Sequence, residues 1–326
     1  MMKKERMDDF CRKKQPLTPR LRRELSASWT GTIHWDAPMG DYCTFRTGGK
    51  AEALLVASSR FELETLMRWL CKYEVCWRVI GRGSNILVRS QGFSGAVIVL
   101  GGDFCSMDWA DDPGVGEKVR KVRVGAACSV ARLIGWCTRQ AVSGVEFMVG
   151  IPGSVGGAVR MNAGAWGSAI GDSMESIGYV DSEGKMHVVS KDRLDISYRQ
   201  LQLLDGNIED VIIIETVVRL KPGRQKDIIA QCRKYQDLRR AKQPMGVASA
   251  GSVFKNPPGD SAGRLIDDAG LKGLRRGNAM VSPKHANFIV NTGQATADDI
   301  IELMREVQEK VHSHSGVMLE PEVHLL

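Results

Sequence analysis

The chain of 326 residues lacks any apolar run approaching the ~18 residues that cross a bilayer, which excludes a membrane-spanning helix. Its opening stretch, MMKKERMDDFCRKKQPLTPRLRRELSA, has no apolar centre of the kind a secretory leader needs, so a cytoplasmic protein with no membrane partner is expected. Eight cysteines are present but no C-x-x-C pair, and none is spaced with the six histidines as a metal site requires. Neither a disulfide framework nor a structural metal is expected, and the cysteines read as small core residues. No G-x-x-x-x-G-K-[ST] run exists, which removes a P-loop ATPase. Aromatic residues make up only 6%. Much of the net charge of +7 sits in residues 1–25, nine Lys/Arg against four Asp/Glu, without interleaved aromatics. That stretch reads as a solvated basic arm, and no nucleic-acid partner is expected.

What is present is alternating helix and strand patterning from about residue 50. AEALLVAS reads as a strand, and Ser59 with Glu62 forms a capping box before Leu63, Leu66, Met67 and Leu70 at helical spacing. WRVI (77–80), AVIVL (96–100) and KVRVGAA (121–127) are strand-like. Ser129 caps a helix with Val130, Leu133, Ile134, Cys137 and Ala141 on its apolar face. A hairpin is predicted around Asp181–Gly184. VIIIETVVRL (211–220) reads as a buried strand stopping at Lys221-Pro222-Gly223, which is the expected domain boundary. Beyond it are predicted a charged helix from Arg224 to Gln243, a short helix near 261–269, a strand NFIVN, and a helix capped by Thr296 and Asp299. VMLEPEVHLL closes the chain as a strand.

Two glycine loops stand out: GRGSN (81–85), and GIPGSVGGAVRMNAGAWGSAIGD, with seven glycines in residues 150–172. GRGSN follows a strand, but Asn85 stands where the dinucleotide fingerprint needs its third glycine, and ILV continues as a strand rather than a helix. The loops are either tight turns or backbone anion nests, and as a pair they suit a long ligand carrying a pyrophosphate. Their glycines read as clearance for a cofactor.

The ordered set TFRTGGKAE, GRGSNILV, GVEFMVGIPGSVGGAVRMNAGA, SYR, GSVFKNP, AGRLIDDAGLKG, HANFIVN and LEPEV covers nearly everything after residue 40. It resembles the UDP-N-acetylenolpyruvoylglucosamine reductase (UDP-N-acetylmuramate dehydrogenase) family, in its shorter class. The resemblance implies an α+β fold: a two-subdomain FAD-binding portion of the vanillyl-alcohol-oxidase (PCMH) type, then a smaller α/β substrate-binding domain. The expected division is a basic arm over 1–33, ordered in part, an FAD-binding domain over 34–222 split near 100–120, and a substrate domain over 223–326. The resemblance implies non-covalent FAD, NADPH as co-substrate and a UDP-linked amino sugar as substrate; separately, a monomer is expected. Carried over by position, FAD contacts fall on Arg46, Thr47, Gly48, Gly49, Gly81, Arg82, Gly83, Ser84, Asn85, Gly125, Gly150, Ile151, Pro152, Gly153, Ser154, Gly156, Gly157, Asn162 and Gly164. Arg199, Ser252 and Glu322 are the implied catalytic residues, and Tyr198, Lys255 and Asn256 the implied substrate contacts.

Such a reaction suits these side chains. Hydride addition to an enol ether leaves negative charge spread into the neighbouring carboxylate. The arginine fork neutralises that charge, a protonated glutamate can donate to it, and a hydroxyl stabilised by cations can supply the proton. Departures from the family pattern fall at Ala127, Leu201, Asn278-Ala279 and His324. Three rivals remain: an oxidase on the same flavin scaffold, against which the absence of histidine from GRGSN speaks; a non-catalytic flavin or nucleotide binder, against which Arg199, Ser252 and Glu322 speak; and a nucleic-acid binder led by the basic N-terminus.

Overall fold

A computed structural model describes residues 15–111 and 118–326, so residues 1–14 of the basic arm, Cys11 among them, lie outside the described residues. The chain divides into two compact units. One comprises residues up to Trp35, Glu52–Gly81 and Ser94–Gln236, and the other comprises Asp36–Ala51, Arg82–Phe93 and Asp237–Leu326. The division falls inside the helix that follows Lys221-Pro222-Gly223. Most of the first glycine loop belongs with the C-terminal portion.

The first unit starts with an element that charge had concealed. Thr18 caps α1 (Pro19–Ser28) by accepting from the Leu21 amide, and proline occupies the first turn, where its missing N–H costs nothing. Leu17, Leu21, Leu25 and Trp29 are all buried, and the Trp29 indole N–H donates to the Glu62 carbonyl at 2.8 Å. The arm is therefore packed from Leu17 onward, not solvated: the i, i+4 leucines among its arginines form a core-facing stripe. They join α2 (Arg60–Lys72), whose Leu63, Leu66, Met67 and Leu70 are buried, each burial contributing about 1.5–3 kcal/mol. Ser59 caps this helix as expected, but Glu62 returns its carboxylate to the Ser58 amide, one residue before the cap.

Strands β1 (Thr32–Pro38), β2 (Lys50–Ala57), β3 (Trp77–Ile80) and β5 (Phe93–Leu100) form a four-stranded sheet in the order β1-β2-β5-β3, with β3 and β5 parallel. A second core lies against an antiparallel sheet built from β6 (Met107–Trp109), β7 (Arg120–Gly125), β11 (Met174–Asp181), β12 (Met186–Ser190) and β15 (Val211–Pro222), with β8 (Val142–Ser143) pairing on β15. The β11–β12 turn is set by Asp181, whose Oδ1 accepts from the Glu183 and Lys185 amides at 2.9 Å each. Strand β15 runs through Pro222 rather than stopping at Leu220, because Lys221 and Pro222 pair with β8. Ser129 caps α3 (Val130–Arg139), but Ala141 lies beyond it at φ +53°. Six cysteines are free thiols. Burial, then the nearby Glu146 carboxylate, pushes the Cys137 thiol up to about 12, as befits a core residue.

The second unit has its own core. Phe254, Val253, Leu265, Ile266, Ile300, Leu303 and Val307 pack with Cys43, Phe45 and Leu87 from the two N-terminal stretches. Its elements are β4 (Ile86–Leu87), α6 (Ala262–Asp268), the meander β16 (Arg275–Arg276), β17 (Ala279–Val281) and β18 (Ile289–Asn291), α7 (Ala297–Ser315) and β19 (His324–Leu325). Thr296 and Asp299 form the full capping box of α7, which ends on Gly316 at φ +73°. The closing strand is shorter than predicted: only His324 and Leu325 form a regular strand, parallel to β4, while Pro321 makes an isolated bridge to Phe254. The boundary between the units in sequence, Gln236 to Asp237, falls within α5 (Gln225–Lys242). No helix among the described residues is long and apolar enough to cross a membrane.

Candidate active site

In the first unit, Arg199 occupies the two-residue turn between β13 (Leu194–Ser197) and β14 (Gln200–Leu203). Its φ of +57° belongs to the left-handed region, which costs a side-chain-bearing residue about 1–2 kcal/mol. Strain of this kind collects at functional sites, where surrounding contacts hold it in place. Here the Arg199 Nη1 donates to the Gly164 carbonyl at 3.1 Å, and the guanidinium lies 5.2 Å from the ring centre of Tyr198. Gly164 belongs to a small hairpin, β9 (Gly164–Ala165) and β10 (Ser168–Ala169), whose turn residues Trp166 and Gly167 sit at φ +57° and +82°. Two positive φ values are what a tight two-residue hairpin turn demands. Trp166 stacks on Tyr235 at 6.1 Å with ring planes 12° apart.

In the second unit, Ser252 and Glu322 are placed by backbone pairing. The Val253 carbonyl accepts the Glu322 amide at 2.7 Å, the Lys255 amide donates to the Glu320 carbonyl at 2.8 Å, and Phe254 bridges to Pro321. On the other side Ser252 bridges to Phe288, while buried Asn287 receives the Phe254 amide at 3.0 Å and donates to its carbonyl at 2.8 Å. Segments 287–288, 252–255 and 320–322 thus form one short ladder. Asn85 extends it: its Nδ2 donates to the Glu322 carbonyl at 3.0 Å and its carbonyl accepts from His324 at 3.0 Å. The first glycine loop and Glu322 are consequently one construction. Lys255 is ion-paired to Glu320 at 2.6 Å, and Asn256 Oδ1 accepts from Ala262 at the start of α6.

The glycine loops show why they are glycine-rich. A Cβ on Gly81 would lie 2.3 Å from Ser154 Oγ, so the two loops meet within the first unit at these residues. A Cβ on Gly83 would lie 1.9 Å from the Tyr42 carbonyl, on Gly125 2.1 Å from the Phe104 carbonyl, and on Gly164 2.4 Å from the Ser168 carbonyl. On Gly156 it would meet Ala126 Cβ at 2.7 Å, and on Gly49 the Ser90 carbonyl at 2.4 Å. Clearance at these glycines is for the chain's own backbone and side chains. Ser154 is buried and caps the short helix α4 (Val155–Arg160) through the Gly157 amide at 3.3 Å. Gly150 and Gly153, flanking Ile151 and Pro152, sit at φ +76° and +133°. In the second unit, Arg46 at φ +56° starts the Thr47-Gly48-Gly49 turn, and Thr44 donates to the Gly83 carbonyl at 3.0 Å, joining that turn to Arg82, Gly83, Ser84 and Asn85.

Three supporting residues escaped sequence reasoning: Asn287, Trp166 and Tyr235. Only the GSVFKNP and HANF motifs, read as a pair that must bond, would have signalled the first. The departures are absorbed by backbone bonds. Ala127 donates to Phe104, the Asn278 carbonyl accepts from Thr292, and His324 uses its amide. Leu201 is simply buried.

Comparison with known proteins follows this geometry. A model of the UDP-N-acetylenolpyruvoylglucosamine reductase C-terminal domain matches residues 243–326, and a model of an FAD binding domain matches residues 51–190. The UDP-N-acetylenolpyruvoylglucosamine reductase of Syntrophus aciditrophicus is 38% identical, covering 94% of this chain and 96% of its own. That of Bacillus subtilis is 34% identical over 93% and 97%. The crystal structure of UDP-N-acetylenolpyruvylglucosamine reductase from Thermus caldophilus superposes with a TM-score of 0.76 at 36% identity, covering 91% of this chain and 98% of that one.

Proposed function

The chain belongs to the UDP-N-acetylenolpyruvoylglucosamine reductase family, an FAD-dependent oxidoreductase family, and from that premise we propose a full catalytic assignment. The enzyme reduces the enolpyruvyl ether of UDP-N-acetylglucosamine-enolpyruvate to UDP-N-acetylmuramate in peptidoglycan precursor synthesis, with NADPH as reductant. It works as a cytoplasmic monomer.

The residues present fit FAD. The glycine loops pack closely on the chain's own atoms, and although the Ile151, Val155, Gly156 and Gly157 amides are spent on Met148, Cys128, Ala126 and Ser154, successive amides in a turn such as 81–85 suit a concave anion site for a pyrophosphate. Gly81–Asn85 and Gly150–Gly157, with Arg46–Gly49, would hold it. Bound there, FAD supplies hydride transfer from the nicotinamide to the enolpyruvyl methylene carbon.

The chain's own groups do the rest. Arg199 neutralises the carboxylate and the enolate charge that develops beside it; its planar fork and permanent charge suit both. Its held, left-handed turn means the fork is oriented before substrate arrives, so no reorganisation is needed as charge builds. Glu322, protonated, shares that charge by donating a hydrogen bond. The Ser252 hydroxyl gives its proton to the carbanionic carbon, with Lys255 stabilising the alkoxide left behind. Tyr198, Lys255 and Asn256 contact the substrate.

One observation carries this reading: Ser252, Glu322 and the Asn85 glycine loop share a single hydrogen-bonded ladder. Proton donor, enolate partner and cofactor loop are thereby indexed to one another. The test is anaerobic. After reduction with NADPH, addition of the UDP-linked enolpyruvyl sugar should restore the oxidised flavin absorbance; a flavin that stays reduced would contradict the assignment.

A further inference from the structure

Asn162 was expected to contact FAD, yet its side chain is committed within the protein. It is buried, at φ +39°, a left-handed conformation that asparagine tolerates better than most residues. Its Nδ2 donates to the Ser197 carbonyl at 2.8 Å, and its Oδ1 accepts from the Gly171 amide at 3.0 Å. Ser197 is the residue from which the Tyr198-Arg199 turn departs. Arg199 in turn donates to Gly164, two residues after Asn162. The loop at 162–164 and the turn at 197–199 therefore clasp each other through reciprocal side-chain-to-carbonyl bonds. A Cβ on Gly171 would lie 2.8 Å from both Asn162 Oδ1 and Ile196 Cγ2, so the clasp leaves no room to slide.

We propose that Asn162 is a positioning residue for Arg199: by gripping Ser197 it holds the strained turn that aims the guanidinium at the substrate carboxylate. The proposal rests on the role given to Arg199 above. An unpaired Ser197 carbonyl would be free to rotate, letting the turn relax out of its left-handed conformation. A fork misplaced by about 1 Å costs on the order of 100-fold in rate.

The experiment uses the full-length, FAD-loaded enzyme. Asn162→Gly removes the amide while keeping the left-handed backbone accessible, and Asn162→Ala is its companion; each is made alone and with Arg199→Ala. Anaerobic single-turnover reoxidation by the UDP-linked enolpyruvyl sugar is followed, with flavin content and melting midpoint measured on the same samples. In Asn162→Gly the saturating reoxidation rate should fall about 100-fold at wild-type flavin content. The double variant should be within about twofold of Arg199→Ala alone, because both changes remove one function. A wild-type rate, effects that multiply independently, or flavin loss in proportion to the lost rate would each overturn the proposal. Failure of the unmodified enzyme to reoxidise would instead overturn the functional assignment, and the proposal with it.

Discussion

Arg199 and the Ser252–Glu322 pair are placed by opposite means. Arg199 sits on a strained two-residue turn held by side chains: its own bond to Gly164, the Asn162 grip on Ser197, and the Trp166–Tyr235 stack beneath the neighbouring hairpin. Ser252 and Glu322 sit on a ladder of main-chain bonds that no side-chain substitution at those two positions removes. A backbone ladder fixes a residue's position whatever its side chain, so chemistry there can be deleted without disturbing geometry. A side-chain clasp couples geometry to identity, so substitutions around Arg199 should propagate.

On the clasp side the largest expected effect is at Arg199. Arg199→Lys keeps the charge but loses the planar fork and the bond to Gly164, and substrate-driven reoxidation should fall by about 10²–10³-fold in stopped-flow measurements. A lysine enzyme near wild-type rate would show that charge alone suffices.

Next comes Gly83. The Tyr42 carbonyl 1.9 Å from its missing Cβ means that Gly83→Ala must displace backbone, costing about 3 kcal/mol by denaturant unfolding. Gly167→Ala, also at positive φ but with open space around it, should cost only the left-handed penalty of about 1–2 kcal/mol. Equal costs would mean the ladder side of the molecule is no more rigid than the clasp side. Asn85→Ala removes one bond to Glu322 but leaves its backbone bond to His324, so a loss of about fivefold in reoxidation, about 1 kcal/mol, is expected.

The smallest effect concerns pH. Burial, reinforced by Lys272 and Lys242, holds the His285 pKa below its ordinary value, and its Nδ1 accepts the Asn287 amide at 3.2 Å. The folded state therefore prefers neutral imidazole. His285 contributes stability that is fully present above the unfolded pKa of about 6.5 and is lost as pH falls toward the lower folded value. Asn287 ties this to the ladder through Phe254. The melting midpoint should drop between neutral and mildly acid pH, and less so in His285→Gln.

Elements with local signatures were legible in the sequence: the Ser59, Ser129 and Thr296 caps, the Asp181 turn and the glycine loops all declare themselves within a few residues. The hidden parts depend on distant partners. Leu21 and Leu25 are dominated by neighbouring arginines until α2 supplies their core. Pro222 reads as a stop until β8 pairs with it. Residue types at the site were legible through ordered motifs, yet nothing local assigns Asn162 to Ser197 or Asn85 to Glu322, bonds that span 35 and 237 positions.

The most direct test of the account separates the two half-reactions in Ser252→Ala under anaerobic conditions. The ladder remains, so reduction by NADPH should proceed at the wild-type rate while reoxidation by the UDP-linked enolpyruvyl sugar falls by about 10²–10⁴-fold. Reoxidation at the wild-type rate, or an equal fall in both halves, would contradict it.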